Sequence, residues 1–315
     1  MMAHTDASFK HRDAASYDHV AGQYDVLISR FSGPLVDRLV ALAGVRAGSR
    51  VLDVGTGPGI VALAAAPLVG NRGHVIGVDL SDGMLIAARE KALGHPHAAN
   101  VEFRQMDAEH LTLPDQSFDV VVSLFALHHF PNPAAALAEM YRVLRPGGVL
   151  CVGVGSGPSR RTWAGLVDAA LQVRDLVRRK RGRLLRAPQF LTELVEQQCP
   201  ASGVHELTEM ASSGWKDPGT VPRLVADAGF EALRTDWLGQ RRVIDSVQDF
   251  WNLQRIYSST ARKRLSMASP ERVALVHSAF VARCTEVQQR GGELIYSYAS
   301  LYVTARRPLL AKQAS

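Results

Sequence analysis

The chain has 315 residues, 47% hydrophobic and 21% charged, enough apolar content to bury a substantial core in one large domain or two smaller ones. The 36 basic and 30 acidic side chains leave a formal charge of +6, too small an excess to argue for a nucleic-acid partner by itself. No run approaches the roughly 20 apolar residues of a membrane span, and the opening MMAHTDASFKHRD lacks the apolar centre of a secretory signal. The three cysteines, Cys151, Cys199 and Cys284, lie far apart and match no metal spacing. The expectation is a cytoplasmic enzyme with reduced thiols and no bound metal.

Residues 1–43 read as an amino-terminal helical cap, with Tyr17, Val20, Ala21, Tyr24 and Leu27 at helical spacings. Residues 44–154 carry the densest signal. Val51, Leu52 and Val54 make the short apolar run of a strand buried on both faces, with Asp53 near its carboxyl end. Gly55, Thr56, Gly57, Pro58 and Gly59 follow, and then an Ala- and Leu-rich helix. Glycines in a strand-to-helix turn let the backbone bend tightly and let a ligand lie against the main chain, while the helix start presents free N–H groups. The spacing is G-x-G-x-G, whereas a dinucleotide site has its third glycine one residue later. No phosphate-loop pattern is present either, so NAD is the weakest reading.

A second strand, 74–79, ends in Asp79, 20 residues beyond Gly59, where a carboxylate can accept charge-assisted bonds from both hydroxyls of a ribose. Leu80 and Met84 flank that position as apolar walls for the adjoining base. Strand 101–106 leads into Asp107 and Ala108, and strand 118–124 into Phe125, His128 and His129, at the carboxyl edge where open α/β sheets hold ligands. Adjacent histidines point apart and no carboxylate stands at ligand spacing, which argues against a metal. A proton-transfer role for one of them competes with simple packing under the next helix.

Residues 155–218 read as a helical, basic insertion or lid, its helix continuing through the Arg178–Arg186 cluster. A solvated basic cap is favoured there over membrane-surface contact, because Gly182 and Pro188 interrupt the run and the apolar face looks narrow. Residues 219–240 continue the core through a helix, the Gly229-Phe230 turn and a strand. Residues 241–290 form a second helical insertion, 291–307 the last core strand, and 308–315 a tail. Trp215, Trp237, Trp251 and Tyr296 either line a substrate pocket or pack the core.

The acidic residue before G-x-G-x-G resembles motif I of class I S-adenosylmethionine-dependent methyltransferases. Three further stretches are similar to that family: Y-D-x-x-A-x-x-Y-D at 17–25, L-P-x-x-x-F-D-x-V at 113–121, and R-V-L-R-P-G-G-V-L at 142–150. The nearest group is the ubiquinone/menaquinone-biosynthesis type and its relatives, which methylate diffusible small molecules. The resemblance implies an α/β, doubly wound, Rossmann-like fold with a seven-stranded sheet, its last strand antiparallel, and helical cap insertions. It implies S-adenosyl-L-methionine as cofactor, held by Tyr17, Tyr24, Asp53, Gly55, Thr56, Gly57, Gly59, Asp79, Leu80, Met84, Asp107, Ala108 and Phe125. In such a site Asp107 accepts a bond from the adenine amine, and Tyr17 and Tyr24 help to close the pocket.

The implied reaction is in-line methyl transfer to O, N or C of a small hydrophobic acceptor, with His128 or His129 removing a proton. Two alternatives stand beside it. An RNA methyltransferase would suit the basic balance, but Ser123-Leu124-Phe125-Ala126 replaces the Asn/Asp-Pro-Pro-aromatic motif of exocyclic-amine enzymes, and no RNA-binding module is recognisable. A protein of the same fold could also bind the cofactor and run another reaction, or none.

Overall fold

The computed structural model describes residues 10, 14, 15, 18, 21–157, 163–199, 217 and 219–309. In chain order these form α1 (Ala21–Ala43), β1 (Arg50–Val54), α2 (Ile60–Val69), β2 (His74–Asp79), α3 (Asp82–Leu93), β3 (Val101–Gln105), β4 (Phe118–Leu124), α4 (Pro133–Val143) and β5 (Leu144–Val154). There follow α5 (Trp163–Lys180), β6 (Leu184–Ala187), α6 (Gln189–Gln198), α7 (Thr220–Asp227), β7 (Glu231–Val243), α8 (Val247–Tyr257), α9 (Ser259–Met267), α10 (Pro270–Gln289) and β8 (Glu293–Arg306). The chain divides into two compact units: residues 1–156, 211–238 and 300–315 make the first, and 157–210 with 239–299 the second. The second unit takes in most of the two stretches expected as insertions, 155–218 and 241–290, together with the first half of β8, while 211–218 fall in the first.

In the first unit the strands run β3-β2-β1-β4-β5-β8, with β7 also pairing β8. Strands β1 to β5 are parallel, and β8 is antiparallel to β5, from Val149 opposite Arg306 to Val154 opposite Leu301. This is the doubly wound sheet expected, closed by an antiparallel last strand. Val51, Leu52 and Val54 are fully buried, as strands covered on both faces require. The apolar core continues through Phe118, Val121, Leu137, Met140, Leu150, Val152 and Val303. Helix α1 packs Leu35, Leu39, Val40 and Ala43 inward at helical spacing, and the buried Tyr302 hydroxyl donates to the Leu35 carbonyl at 2.8 Å.

The strand order decides where chemistry can collect. Because β3, β2, β1 and β4 are consecutive neighbours, the loops leaving their carboxyl ends lie side by side. Those loops begin at Met106, Leu80, Gly55 and Phe125.

The second unit holds an eighth strand that sequence reading placed in a helix. Helix α5 stops at Lys180, Gly182 takes a left-handed φ of 65°, and Leu184–Ala187 pairs parallel with the start of β8. Leu184, Leu185 and Ala187 are buried by that pairing, and their burial overrides the helical bias of the basic run. Its core is aromatic: Phe280 sits 5.0 Å from both Phe190 and Trp251 and 5.8 Å from Phe250, centroid to centroid. Trp251 is thus a core side chain here, and Tyr296 is buried in a stack with Tyr298.

Candidate functional site

The loop after β1 is built to be close to its neighbours. The N–H groups of Gly55 and Thr56 both donate to the Val78 carbonyl, at 2.8 and 2.9 Å, which ties the turn to the end of β2. Gly55 has φ 72°, and a Cβ there would meet the Ala126 Cβ at 2.2 Å, so only glycine fits. Gly57, at φ 52°, faces open space on its Cβ side, where a ligand can come close to the main chain.

These loops line a partly open cavity of about 120 Å³. Its walls are Gly55 and Gly57 after β1; Asp79, Leu80, Ser81 and Met84 after β2; Met106, Asp107 and Ala108 after β3; and Phe125, Ala126, His129 and Phe130 after β4. Val78, Leu124, Lys10 and Ala14 complete it. The lining is mostly apolar with a few carboxylates, which suits a ligand having an aromatic part and a polar part.

Asp79 is half-buried at the end of β2. Its Oδ2 accepts the Gly57 N–H at 2.8 Å and its Oδ1 accepts the Ser81 N–H at 3.0 Å. Burial pushes its pKa up, against those two N–H bonds and against nearby His129. Each carboxylate oxygen keeps a lone pair beyond its backbone bond. Asp107 is different, because its Oδ2 takes the Lys10 ammonium at 2.8 Å while its Oδ1 accepts the Glu109 N–H at 3.0 Å. Burial would raise the Asp107 pKa, but the Lys10 bond and its companions outweigh it and hold the carboxyl below its ordinary value. Lys10 also pairs with Glu109 at 2.6 Å, and despite partial burial its own pKa is raised.

Three residues proposed from the motif lie outside the lining and shape it instead. Asp53 is 1% exposed; its Oδ2 accepts the Thr56 hydroxyl at 2.6 Å and the Ala62 N–H at 3.1 Å. Gly59 is the left-handed N-cap of α2 and has no side chain to cap it, so Asp53 reaches across to satisfy a helix-start N–H. Burial raises the Asp53 pKa to about 7, opposed by those two bonds. Gly59 itself lets α2 approach the sheet, since a Cβ would lie 2.7 Å from the Phe103 ring. Thr56 is buried with its hydroxyl committed to Asp53.

Beyond β4, Phe125 adopts a left-handed φ of 57°, a costly conformation for a large side chain, and its N–H donates to the Gly153 carbonyl at 2.8 Å. His128 and His129 follow in a 3-10 turn with ring centroids 4.0 Å apart, and His129 lines the cavity while His128 does not. Tyr17 lies outside the described residues, and of Tyr24 only the helical backbone is described.

Sequence reading missed Lys10, Ala14, Val78, Ser81, Met106, Leu124, Ala126 and Phe130 as lining. It also missed Asp18, whose Oδ1 accepts the Ser81 hydroxyl at 2.6 Å and the Gly83 N–H at 3.0 Å, at the start of α3. The signal for Asp18 was present in the Y-D pair of the amino-terminal motif. For Lys10 there was none, because its partners stand almost a hundred positions away. Among the described residues no group of three or more His, Cys, Asp or Glu could hold a metal ion.

Residues 52–164 match the family model described as a methyltransferase domain. The ubiquinone/menaquinone biosynthesis C-methyltransferase UbiE of Azotobacter vinelandii is 41% identical over 168 residues, which is 51% of this chain and 66% of that protein. The chain thus spans a little under two thirds of that relative's length. Two solved structures share the fold. The YcgJ protein from Bacillus subtilis has a TM-score of 0.52 at 24% identity, covering 87% of this chain and 97% of that one. The [4+2]-cyclase SpnF has a TM-score of 0.55 at 20% identity, covering 93% and 95%.

Proposed function

We propose that the chain, whose residues 52–164 match a methyltransferase domain, is a class I S-adenosylmethionine-dependent methyltransferase of the ubiquinone/menaquinone-biosynthesis type that methylates O, N or C of a small hydrophobic acceptor. The observation that carries this reading is the Asp79 carboxylate, braced by the Gly57 and Ser81 N–H groups in the lining of the cavity. Two ribose hydroxyls would bond its remaining lone pairs. Leu80, Met84 and Ala108 would sandwich or flank an adenine, and Asp107 would accept from its amine. A ligand without phosphate suits this site, because the loop after β1 lacks both the dinucleotide and the phosphate-loop spacings.

The cofactor when bound supplies an activated methyl group, so the protein's work is to hold, orient and exclude water. Phe125, Ala126 and Phe130, which line the cavity, would give the acceptor an apolar wall, and His129 beside them would take a proton from it. His128, outside the lining, would act only through its neighbour.

Titration calorimetry with S-adenosylmethionine tests the site. Micromolar binding is expected, weakened about 100-fold by Asp79→Ala. No binding, or equal binding by the variant, would sink the reading. With a methylated acceptor in hand, His129→Ala should lower turnover by about 100-fold or more and leave cofactor affinity nearly unchanged. Full turnover by that variant would remove the histidine from the mechanism.

A further inference from the structure

The second unit carries a feature that the methyltransferase reading does not use. Among the described residues, 13 large hydrophobic side chains are exposed, and six of them stand on α5: Trp163, Leu166, Val167, Val173, Leu176 and Val177. Trp163 is 79% and Val173 63% exposed. At 100° per residue these six fall on one side of the helix, an apolar face much broader than the sequence suggested.

The far end of the same helix is cationic. Arg178, Arg179 and Lys180 form its last turn, and Arg181 and Arg183 follow it directly. Arg178 and Arg179 are committed to Glu293 and Glu193, at 2.9 and 2.6 Å. Lys180, Arg181 and Arg183 form no ion pair among the described residues. On the helical wheel Arg174 and Lys180 fall within the apolar arc, where long basic stems can lie along an apolar surface and lift their charges out of it.

We propose that α5 docks on an anionic lipid surface. An exposed apolar face alone would fit a second protein, and exposed cations alone would fit a nucleic acid. A Trp- and Leu-bearing face that runs into a cationic end matches an acyl–headgroup boundary on both counts, burial of the apolar arc and attraction of the basic end to anionic headgroups. The 18-residue helix, about 27 Å long, would lie in the plane of the surface. Such contact is peripheral: among the described residues no helix is long and apolar enough to cross a membrane.

The test is co-sedimentation of the full chain with vesicles of phosphatidylcholine alone and of phosphatidylcholine mixed equally with phosphatidylglycerol. Binding to the anionic vesicles should exceed binding to the neutral ones by about tenfold and fall as salt is raised. Leu166→Ser combined with Val173→Ser and Leu176→Ser should abolish binding to both. Lys180→Gln with Arg181→Gln and Arg183→Gln should remove the preference for anionic lipid while keeping the circular dichroism spectrum and the calorimetric behaviour towards S-adenosylmethionine of the unsubstituted chain. Vesicle binding unchanged in both variants would overturn the proposal. So would no vesicle binding accompanied by a dimer that the serine variant dissolves, or by retention of a salt-sensitive RNA oligonucleotide.

Discussion

Two helix starts, one in each unit, solve the same problem with different chemistry. Helix α2 begins after Gly59 and helix α6 after Pro188, neither of which offers a capping side chain. In each case the third residue's N–H is satisfied by a buried side chain from another element: Ala62 by Asp53 at 3.1 Å, and Leu191 by Gln254 at 2.8 Å. Each donor-seeking group also leaves one polar atom unpartnered among the described residues, Asp53 Oδ1 and Gln254 Nε2. The difference is charge. A carboxylate suits the positive end of a helix but resists burial, whereas an amide meets the same N–H without a proton to gain or lose. The first unit therefore has a protonation state built into the turn that shapes its cavity, and the second unit's equivalent is indifferent to pH.

Replacing Asp53 by Asn would convert the first arrangement towards the second, with the largest expected effect. The folded-state pKa of Asp53 is about 7, well above an unfolded aspartate, so between about pH 4 and 7 the folded chain holds a proton that the unfolded chain has released. Its contribution to stability is then fully present at low pH and lost as pH rises through that window. In urea unfolding, the stability of Asp53→Asn relative to the native chain should rise with pH, by up to about 1.4 kcal/mol per unit at its steepest. A difference flat from pH 4 to 8 would break the comparison. Gln254→Leu comes next. It orphans the buried Leu191 N–H and should cost about 2 kcal/mol, by the same amount at pH 5 and pH 8.

These helix starts also mark how far sequence could be read. The glycine loop, Asp79 and Asp107 were legible because each stands at the end of an apolar strand, so a few consecutive residues specify both the element and its exit. The positive φ values of Gly55, Gly57 and Gly59 follow from the same local pattern. The division of labour inside the motif was not legible, because spacing alone cannot say which way a side chain turns. Asp53 turns into the protein and Asp79 towards the cavity. Contacts over long separations were hidden altogether. Lys10 on Asp107, Asp18 on the start of α3, and Gln254 on Leu191 bring together residues 97, 65 and 63 positions apart. The strand Leu184–Ala187 was obscured by its basic surroundings, since its partner comes from β8 at the other end of the chain.

Thr56→Val sharpens the comparison with the smallest effect. The Thr56 hydroxyl donates to Asp53 at 2.6 Å, and that bond lowers the Asp53 pKa against the larger effect of burial. Valine keeps the shape and removes the donor. The ionised carboxylate loses more from this than the protonated acid, which still has a proton of its own to share. The folded-state pKa should therefore rise further, and the window of falling stability should extend to higher pH. Urea unfolding should show a small cost near pH 5 and about 1 kcal/mol near pH 8. In an Asp53→Asn background the dependence on pH should vanish, because the group that titrates is gone. If the valine cost were the same at both pH values in both backgrounds, Asp53 would be ionised throughout, and the two helix starts would differ in composition but not in behaviour.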